Sequence, residues 1–207
     1  MSESPTILGA GVSLAGASIL QALAALYATD TKTTVSNATG SGVCMVALLH
    51  YYWMSLPGSD VMSIRYSDWF ITLPFLLLDI FLICGIDLME NLGFFLVACL
   101  FLMVMLIAGW KALQTQSVAW LALGCLCLLV VYGIVFGVLS QTEQGPLATV
   151  TRVFFLLWIL YGVVAVQQYR SSSENSGSIQ AVYDVLDITT KAVFGVVVAS
   201  SVLCTTV

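Results

Sequence analysis

The chain has 207 residues, of which 60% are apolar and only 8% are charged, and its formal net charge is −5. A soluble domain of this size could not hide so much apolar surface, because too few polar residues remain to cover its exterior. The composition therefore predicts an integral membrane protein that is embedded in a lipid bilayer. The charges form no basic patch, which argues against a nucleic-acid-binding protein.

Seven apolar runs are long enough to cross a bilayer, for which a helix needs about 20 apolar residues. The connections between them are short, so residues 1–207 are predicted to form one domain, an all-α membrane protein with seven transmembrane helices. The first two runs are rich in Gly, Ala, Ser and Thr, which suit close helix–helix contact better than exposure to lipid. The predicted helices cover residues 5–28, 34–56, 61–84, 89–112, 115–139, 146–170 and 177–204.

The remaining composition signals concern processing, metals and orientation. The N-terminal residues MSESPT lack the basic stretch of a signal peptide, so no cleaved leader is predicted. All six cysteines lie within apolar runs, where a thiol is more typical of packing than of a disulfide or a metal site. No metal site is therefore predicted. Lysine and arginine near the helix ends favour neither side of the membrane, so charge does not set the orientation.

The seventh run, AVYDVLDITTKAVFGVVVASSVLC, carries a lysine in its apolar interior. Tyr183, Asp187 and Lys191 follow one another at i,i+4 spacing and therefore share one helix face. Asp187 can neutralise Lys191, or a cation formed from it. A lysine in hydrocarbon costs about 2.5–3.5 kcal/mol on insertion scales, so this residue indicates a functional site.

The third run, SIRYSDWFITLPFLLLDIFLI, places Arg65, Asp68, Thr72 and Asp79 along nearly one stripe of a helix. Asp79 follows Asp68 by three helical turns, which is roughly 16 Å along the helix axis. One interpretation is a static salt-bridge network that orients the helices, and the other is a path for protons. Because buried charge is a poor source of stability, the number of charges favours a function.

These segments resemble microbial (type 1) rhodopsins. RYSDWFITLPFLLLDIFLI resembles their third helix, and YDVLDITTKAVFG resembles the seventh helix, whose lysine carries retinal. LLHYYWM is similar to the histidine-containing second helix of proteorhodopsins, RVFFLLWILYG to the sixth helix, and GVSLAGASI faintly to the first. The pattern is most similar to proteorhodopsin-like outward proton pumps, and the short loops are also typical of compact viral rhodopsins.

The resemblance implies that all-trans retinal is bound covalently to Lys191 as a protonated Schiff base. It implies that Asp68 is the primary counterion and proton acceptor and that Asp187 is the second counterion. Asp79 matches the cytoplasmic proton donor. An acid in such apolar surroundings is expected to stay protonated until it passes its proton on.

Four further residues receive roles from the same resemblance. Thr72 would hydrogen-bond the acceptor carboxylate, and Arg65 would gate proton release. His50 would pair with the acceptor, although a lone membrane histidine is equally typical of a hydrogen-bonded packing residue. Asp184 stands where proteorhodopsins have Asn, and it either takes part in proton release or faces water.

The resemblance also implies a slot for retinal, walled by flat and apolar side chains. Gly162 replaces a usual proline and Ala165 replaces an aromatic ring, so the slot is predicted to be looser on that side. For Met105 and Gly109, simple packing is an almost equally good interpretation. The predicted pocket residues are Tyr66, Trp69, Leu73, Leu76, Met105, Gly109, Trp158, Tyr161, Gly162, Ala165, Tyr183 and Thr190.

The function that the resemblance implies is that of a light-driven outward proton pump, which is an ion transporter and not an enzyme. It implies a homo-oligomer (trimer, pentamer or hexamer) in a plasma or cell membrane, with the N-terminus outside and the C-terminus in the cytoplasm. The alternatives are a light-gated ion channel and a photosensory rhodopsin with the same chromophore. A further alternative is a seven-helix transporter or scaffold without retinal. It would explain the apolar runs but not the helical spacing of the charged residues in the third and seventh runs.

Overall fold

The computed structural model describes residues 5–141, 145–171 and 176–204. Within these residues the chain forms seven long helices and no strand, which confirms the predicted all-α bundle. The first four residues, where a leader was considered, and parts of two connections lie outside the described residues. The helices are α1 (Pro5–Tyr27), α2 (Thr31–Ser55), α3 (Val61–Ile83), α4 (Leu92–Thr115), α5 (Val118–Leu139), α6 (Pro146–Arg170) and a seventh span made of α7 (Ser176–Asp187), a π-helical segment (Ile188–Val193) and α8 (Phe194–Leu203).

Six of the helices in the described part of the chain are long and apolar enough to cross a membrane: α1, α3, α4, α5, α6 and the seventh span. The exception is α2, whose first half is rich in Thr, Ser, Asn and Gly. It nevertheless packs against α1 and α3 and buries Ser36, Asn37 and His50. The most polar of the long helices therefore turns polar side chains toward the interior, whereas many large apolar side chains of α4, α5 and α6 face outward.

The predicted bounds of three helices are wrong by three residues. The helix α2 starts three residues earlier than predicted, α4 starts and ends three residues later, and α5 starts three residues later. Local hydrogen bonds explain the differences. Asp30 caps α2, because its Oδ1 accepts the Thr33 backbone N–H at 2.9 Å and starts the helix earlier. Asp87 holds a turn before α4 by accepting the N–H of Met89 at 2.8 Å. The left-handed backbone of Gln116, with φ of 50°, ends α4.

Small side chains bring α1 into close contact with α2 and the seventh span. The hydroxyl of Ser41 donates to the Ser18 carbonyl at 2.9 Å, and the Ser18 hydroxyl donates to the Ser41 carbonyl at 3.1 Å. Gln21 is buried beside Gly40 and Gly195, and a Cβ added at Gly195 would lie only 2.6 Å from Gln21 Oε1. These contacts agree with the predicted use of small residues for helix–helix packing.

The N-terminus of α3 provides a test of local stability. Asp60 Oδ1 accepts the backbone N–H of Ser63 at 3.2 Å, and its Oδ2 accepts the Ser63 hydroxyl at 2.6 Å. These hydrogen bonds lower the pKa of Asp60. We expect Asp60→Ala to reduce the stability of the protein by about 1 kcal/mol at neutral pH, as measured by thermal unfolding in detergent.

The pH dependence follows from the lowered pKa. The cap stabilises the protein fully above the ordinary carboxyl pKa, and this contribution is lost as the pH falls through the lowered pKa of Asp60. The difference between wild type and Asp60→Ala should therefore shrink in acid. Asp60→Asn, which keeps an acceptor oxygen, should cost less. An equal loss for both variants at every pH would contradict the cap.

Candidate functional site

The π-helical segment of the seventh span contains the buried lysine, Lys191. The hydroxyls of Thr189 and Thr190 donate to the carbonyls of Val185 and Leu186 at 2.8 and 2.9 Å. These hydroxyls therefore provide donors for backbone carbonyls at the point where the hydrogen-bond pattern changes from α-helical to π-helical. The sequence did not predict this segment, because the residues around it follow an ordinary helical pattern. Single π turns within α-helices occur frequently at functional sites.

Lys191 lies between two carboxylates from different helices. Its Nζ is 2.5 Å from Asp68 Oδ2 on α3 and 3.2 Å from Asp187 Oδ1, one turn earlier in its own span. All three side chains are buried. Breaking a buried ion pair by removing one partner costs about 3–5 kcal/mol, because the other charge is left uncompensated. The arrangement is therefore suited to holding a cation at this nitrogen.

Asp187 accepts hydrogen bonds from four further side chains besides its contact with Lys191. Tyr161 donates to Oδ1 at 2.9 Å, and Trp69 Nε1 donates to the same oxygen at 3.2 Å. Tyr51 and Arg65 both donate to Oδ2 at 3.0 Å. Hydrogen bonds to a carboxylate stabilise its charged form. This environment therefore keeps Asp187 as a fixed anion.

Arg65 is held by several contacts next to this anion. Its Nη2 lies 2.6 Å from Asp184 Oδ1, and its Nη1 lies 3.0 Å from Asp187 Oδ2 and 3.1 Å from the Tyr51 hydroxyl. The guanidinium also lies 5.5 Å from the ring centres of Tyr51 and Tyr183. Asp184 is 1% exposed. The alternative that Asp184 faces water is therefore wrong, because its helix face is turned toward Arg65.

The predicted partners of Asp68 are close to it but do not bond its carboxylate directly. The Thr72 hydroxyl donates to the backbone carbonyl of Asp68 at 2.9 Å, so the predicted bond to the carboxylate is not formed. A threonine one turn later in a helix readily bonds the carbonyl four residues before it. His50 Nδ1 lies 2.8 Å from the Val46 carbonyl and 3.9 Å from Asp68 Oδ1. Among the described residues, Asp68 Oδ1 has no hydrogen-bond partner.

Asp79 lies further along α3, away from this cluster. It is 1% exposed, and the hydroxyl of Ser36 donates to its Oδ1. Ser36 also lines a second cavity together with Asp30, Thr33 and Asn37. This cavity begins at the end of the bundle where α2 starts, and it reaches the side chain that bonds Asp79.

The sequence pattern did not indicate two polar residues of the site. Tyr51 directly follows His50 in LLHYYWM, and this position could have indicated a buried role. Ser36 had only a weak signal, because the small polar residues of α2 were interpreted as packing contacts. Both lie on α2, the most polar of the long helices.

A cavity next to Lys191 extends between α3, α4, α5 and α6. Its lining contains every predicted pocket residue except Tyr183, and Met105 and Gly109 are part of this wall. Further lining residues were not predicted, because they lie in apolar stretches of α4 and α5 that offer no distinguishing signal. These are Leu106, Leu121, Gly124, Cys125 and Leu128.

Tyr183 lies outside the cavity wall, contrary to the prediction. Its ring packs on the rings of Trp69 and Tyr161, with centres 5.2 and 6.2 Å apart, and its hydroxyl donates to Gln168 at 3.1 Å. The residue precedes Lys191 by two helical turns, which places it at the level of Arg65.

The cavity has the form that a long apolar ligand tethered to Lys191 would need. Its wall is mostly aliphatic and aromatic, and its polar groups are concentrated at the lysine end. Gly109 allows the Tyr66 ring to pack closely against α4, since an added Cβ would lie only 2.9 Å from the Tyr66 hydroxyl. At Gly162 an added Cβ would lie 2.9 Å from Leu128 Cδ2. The residues present therefore fit a polyene such as retinal.

The family model of the bacteriorhodopsin-like proteins matches residues 3–204 of this chain. The chain is 28% identical over 186 residues to bacteriorhodopsin from Haloterrigena sp. (strain arg-4), a match that covers 79% of this chain and 67% of that protein. The match to the family model includes all seven helices and the buried charges described above.

Solved structures of other rhodopsins have the same fold. The rhodopsin of Exiguobacterium sibiricum has a TM-score of 0.83 and 18% identity, and the match covers 97% of this chain and 95% of that one. The light-driven proton pump rhodopsin of Coccomyxa subellipsoidea has a TM-score of 0.80 and 24% identity, with 95% of each chain covered. At these identities the structural likeness shows the fold alone. The match to the family model shows that this chain belongs to the bacteriorhodopsin-like family and is a microbial rhodopsin.

Proposed function

We propose that this protein is a light-driven outward proton pump with retinal bound covalently to Lys191. One observation carries the proposal: α3 places two buried acids in contrasting surroundings. Asp68 lies 2.5 Å from Lys191 Nζ, whereas Asp79 has no cation of the described residues within ion-pair distance. The family implies a retinal chromophore. The similar Coccomyxa subellipsoidea protein is a light-driven proton pump, which supports the same activity here.

Retinal attached to Lys191 as a protonated Schiff base would supply the absorption of light and an isomerisation that changes the direction and proton affinity of that nitrogen. The side chains of Trp69, Trp158 and Tyr161 line the cavity and would confine the polyene. The carboxylates of Asp68 and Asp187 neutralise the cation at Lys191 Nζ.

Asp68 is better suited than Asp187 to accept the proton from Lys191 Nζ. Asp187 keeps four side-chain donors when Lys191 loses its charge, and these donors continue to stabilise the anion. For the Asp68 carboxylate, Lys191 is the only side-chain donor within hydrogen-bond distance among the described residues. Asp68 therefore loses its compensating charge and becomes the stronger proton acceptor.

Asp79 is suited to return a proton to Lys191. Its carboxyl is buried, and no cation of the described residues lies within ion-pair distance of it. Transferring an isolated carboxylate out of water is costly, so these surroundings favour the protonated acid. Two acids with opposite environments can divide the roles of acceptor and donor.

The second cavity supports a route by which Asp79 regains its proton. Ser36 connects the Asp79 carboxyl to this cavity, which extends to Asp30 at the start of α2. Outward transport requires this end of the bundle to face the cytoplasm. The proposal therefore includes an external N-terminus and a cytoplasmic C-terminus.

The first prediction tests transport. Cells that express the chain with added retinal should acidify an unbuffered medium under illumination, and a protonophore should abolish the change. Cells without retinal are the control. Coloured membranes that give no pH change would contradict the pump and favour a photosensor or a channel; a passive current that reverses with voltage would identify the channel.

The second prediction tests the attachment site. Lys191→Ala should yield no pigment with retinal, as measured by visible absorption, because no primary amine remains in the cavity. Lys191→Arg keeps the positive charge between Asp68 and Asp187 and should also be colourless, which separates loss of attachment from loss of folding. The exposed Lys32→Ala is the matched control and should be coloured. Pigment in the arginine variant would exclude covalent attachment at this lysine.

The third prediction tests the donor. Asp79→Asn should slow the reprotonation of the nitrogen at Lys191 by about 100-fold or more, as measured by flash photolysis, because a positioned acid has been removed. Its dark absorption should change little. Asp87→Asn, in the exposed turn before α4, is the control and should cycle normally. A normal reprotonation rate in Asp79→Asn would exclude the donor role.

A further inference from the structure

Gln21 of α1 is a buried polar side chain next to the π-helical segment. It is 1% exposed, and α1 packs against both the π-helical segment and α8. Its amide fills a gap between two glycines, Gly40 on α2 and Gly195 on α8. A Cβ added at Gly195 would lie 2.6 Å from Gln21 Oε1, and a Cβ added at Gly40 would overlap Gln21 Nε2. The amide is therefore clamped between the backbones of two helices, and a side chain at either glycine would displace it.

The amide oxygen of Gln21 has a specific neighbour on α2. Cys44 Sγ lies 3.5 Å from Gln21 Oε1 and 3.8 Å from the backbone carbonyl oxygen of Lys191. A thiol is a weak donor with a single proton, so it serves one of these oxygens at a time and stands between them. Gln21 thus contacts the turn that carries the lysine twice, directly at Gly195 and through Cys44 at the Lys191 carbonyl.

The same face of α2 leads from this turn to the buried acid of α3. Ser36, Gly40 and Cys44 follow one another at i,i+4 spacing and therefore share a face, over about 12 Å of the helix axis. Ser36 donates to Asp79, Gly40 makes room for the buried amide, and Cys44 contacts the lysine carbonyl. Cys44 also lies close enough to both Asp79 and Lys191 to interact with their charges. Polar groups of α1 and α2 thus lie between the acid and the lysine.

The α6 side of the lysine turn has a different character. A small cavity there is lined mostly by apolar side chains, among them Phe154 and Phe194, whose ring centres are 5.1 Å apart. Its two threonines, Thr151 and Thr190, donate their hydroxyls to backbone carbonyls of their own membrane spans at 2.9 Å. A charge that passes apolar groups is costly because it loses its polar partners. The α1 and α2 side is therefore better suited to guide a proton.

We propose that Gln21 is a positioning residue for the return of the proton from Asp79 to Lys191. Its amide holds the turn between Lys191 and Gly195 against α2 and keeps the Cys44 thiol beside the lysine carbonyl. This inference rests on the proposed function, because it requires retinal at Lys191 and the donor role of Asp79. In the step itself the O–H bond of Asp79 breaks, the lone pair of Lys191 Nζ takes the proton and a carboxylate remains. Gln21 and Cys44 keep their own protons.

The main test is Gln21→Met, which keeps the length of the side chain but removes the amide. The dark absorption maximum and the transfer of the proton to Asp68 should be unchanged. Reprotonation of Lys191 Nζ, followed by flash photolysis, should be slowed by about tenfold, because small displacements of reacting groups are costly in rate. Thr151→Val, on the α6 side, is the matched control and should cycle normally. A normal rate in Gln21→Met, or equal slowing in both variants, would overturn the proposal.

The thiol contact has its own readout. Cys44→Ala should slow reprotonation as Gln21→Met does, and Cys44→Ser, which restores a donor, should recover most of the rate. The infrared S–H stretch of Cys44 is identified by its loss in Cys44→Ala, and it should shift in Gln21→Met because the thiol has lost an acceptor. This measurement needs neither light nor retinal. An S–H band at the wild-type position in Gln21→Met would overturn the contact on which the proposal depends.

A double variant separates positioning from the filling of space. Gln21→Ala leaves a void and should lower the thermal stability in detergent, and the further change Gly195→Ala places a methyl group in that void. The double variant should regain stability relative to Gln21→Ala but should still reprotonate Lys191 slowly. Recovery of the wild-type rate together with the stability would mean that the side chain only fills space, and the positioning role would be excluded.

Asp79→Asn distinguishes a failure of this inference from a failure of the pump. A normal reprotonation rate in Asp79→Asn would contradict the donor role and, with it, the role of Gln21. Slow reprotonation in Asp79→Asn together with a normal rate in Gln21→Met would leave the donor in place and overturn only the role of Gln21.

Discussion

The positive charge of Lys191, in a region from which water is excluded, is the constraint on which the site depends. It requires the carboxylates of Asp68 and Asp187 within 2.5 and 3.2 Å. Asp187 in turn is held by donors from α2, α3 and α6, and the cation among them, Arg65, brings in Asp184. Each buried charge thus creates the need for the next one. These contacts link α2, α3, α6 and the seventh span around one buried cluster of charges.

The contrast between the two acids of α3 creates a direction along the bundle. Asp68 faces a cation, whereas Asp79 is buried and accepts a hydrogen bond from the neutral Ser36 hydroxyl. The polar helix α2 contributes to both ends, with Tyr51 near Arg65 and Ser36 near Asp79. The low hydropathy of α2 is therefore compatible with its place in the bundle, because its polar side chains face the interior. It is the consequence of supplying polar side chains to an interior that has few other sources of hydrogen bonds.

Predictions based on spacing within one helix agree with the structure, while predictions about contacts between side chains were less reliable. Tyr183, Asp187 and Lys191 follow one another along the seventh span as their spacing requires, but only the last two line the cavity. Thr72 lies one turn from Asp68 as predicted, yet its hydroxyl bonds the backbone and not the carboxylate. A helical repeat sets which residues share a face, but the rotamer and the neighbouring helix decide which atom is bonded.

The sequence by itself determined the membrane location, the seven helices, the buried lysine and the acids at helical spacing from one another. It could do so because the cost of placing charge in hydrocarbon and the helical repeat are both local properties of the chain. Only the tertiary structure decided that Lys191 lies in a π-helical segment, that Ser36 bonds Asp79 and that Asp184 is buried against Arg65. These features depend on how helices distant in sequence approach and rotate against each other. That arrangement results from packing over the whole bundle, and no local pattern encodes it.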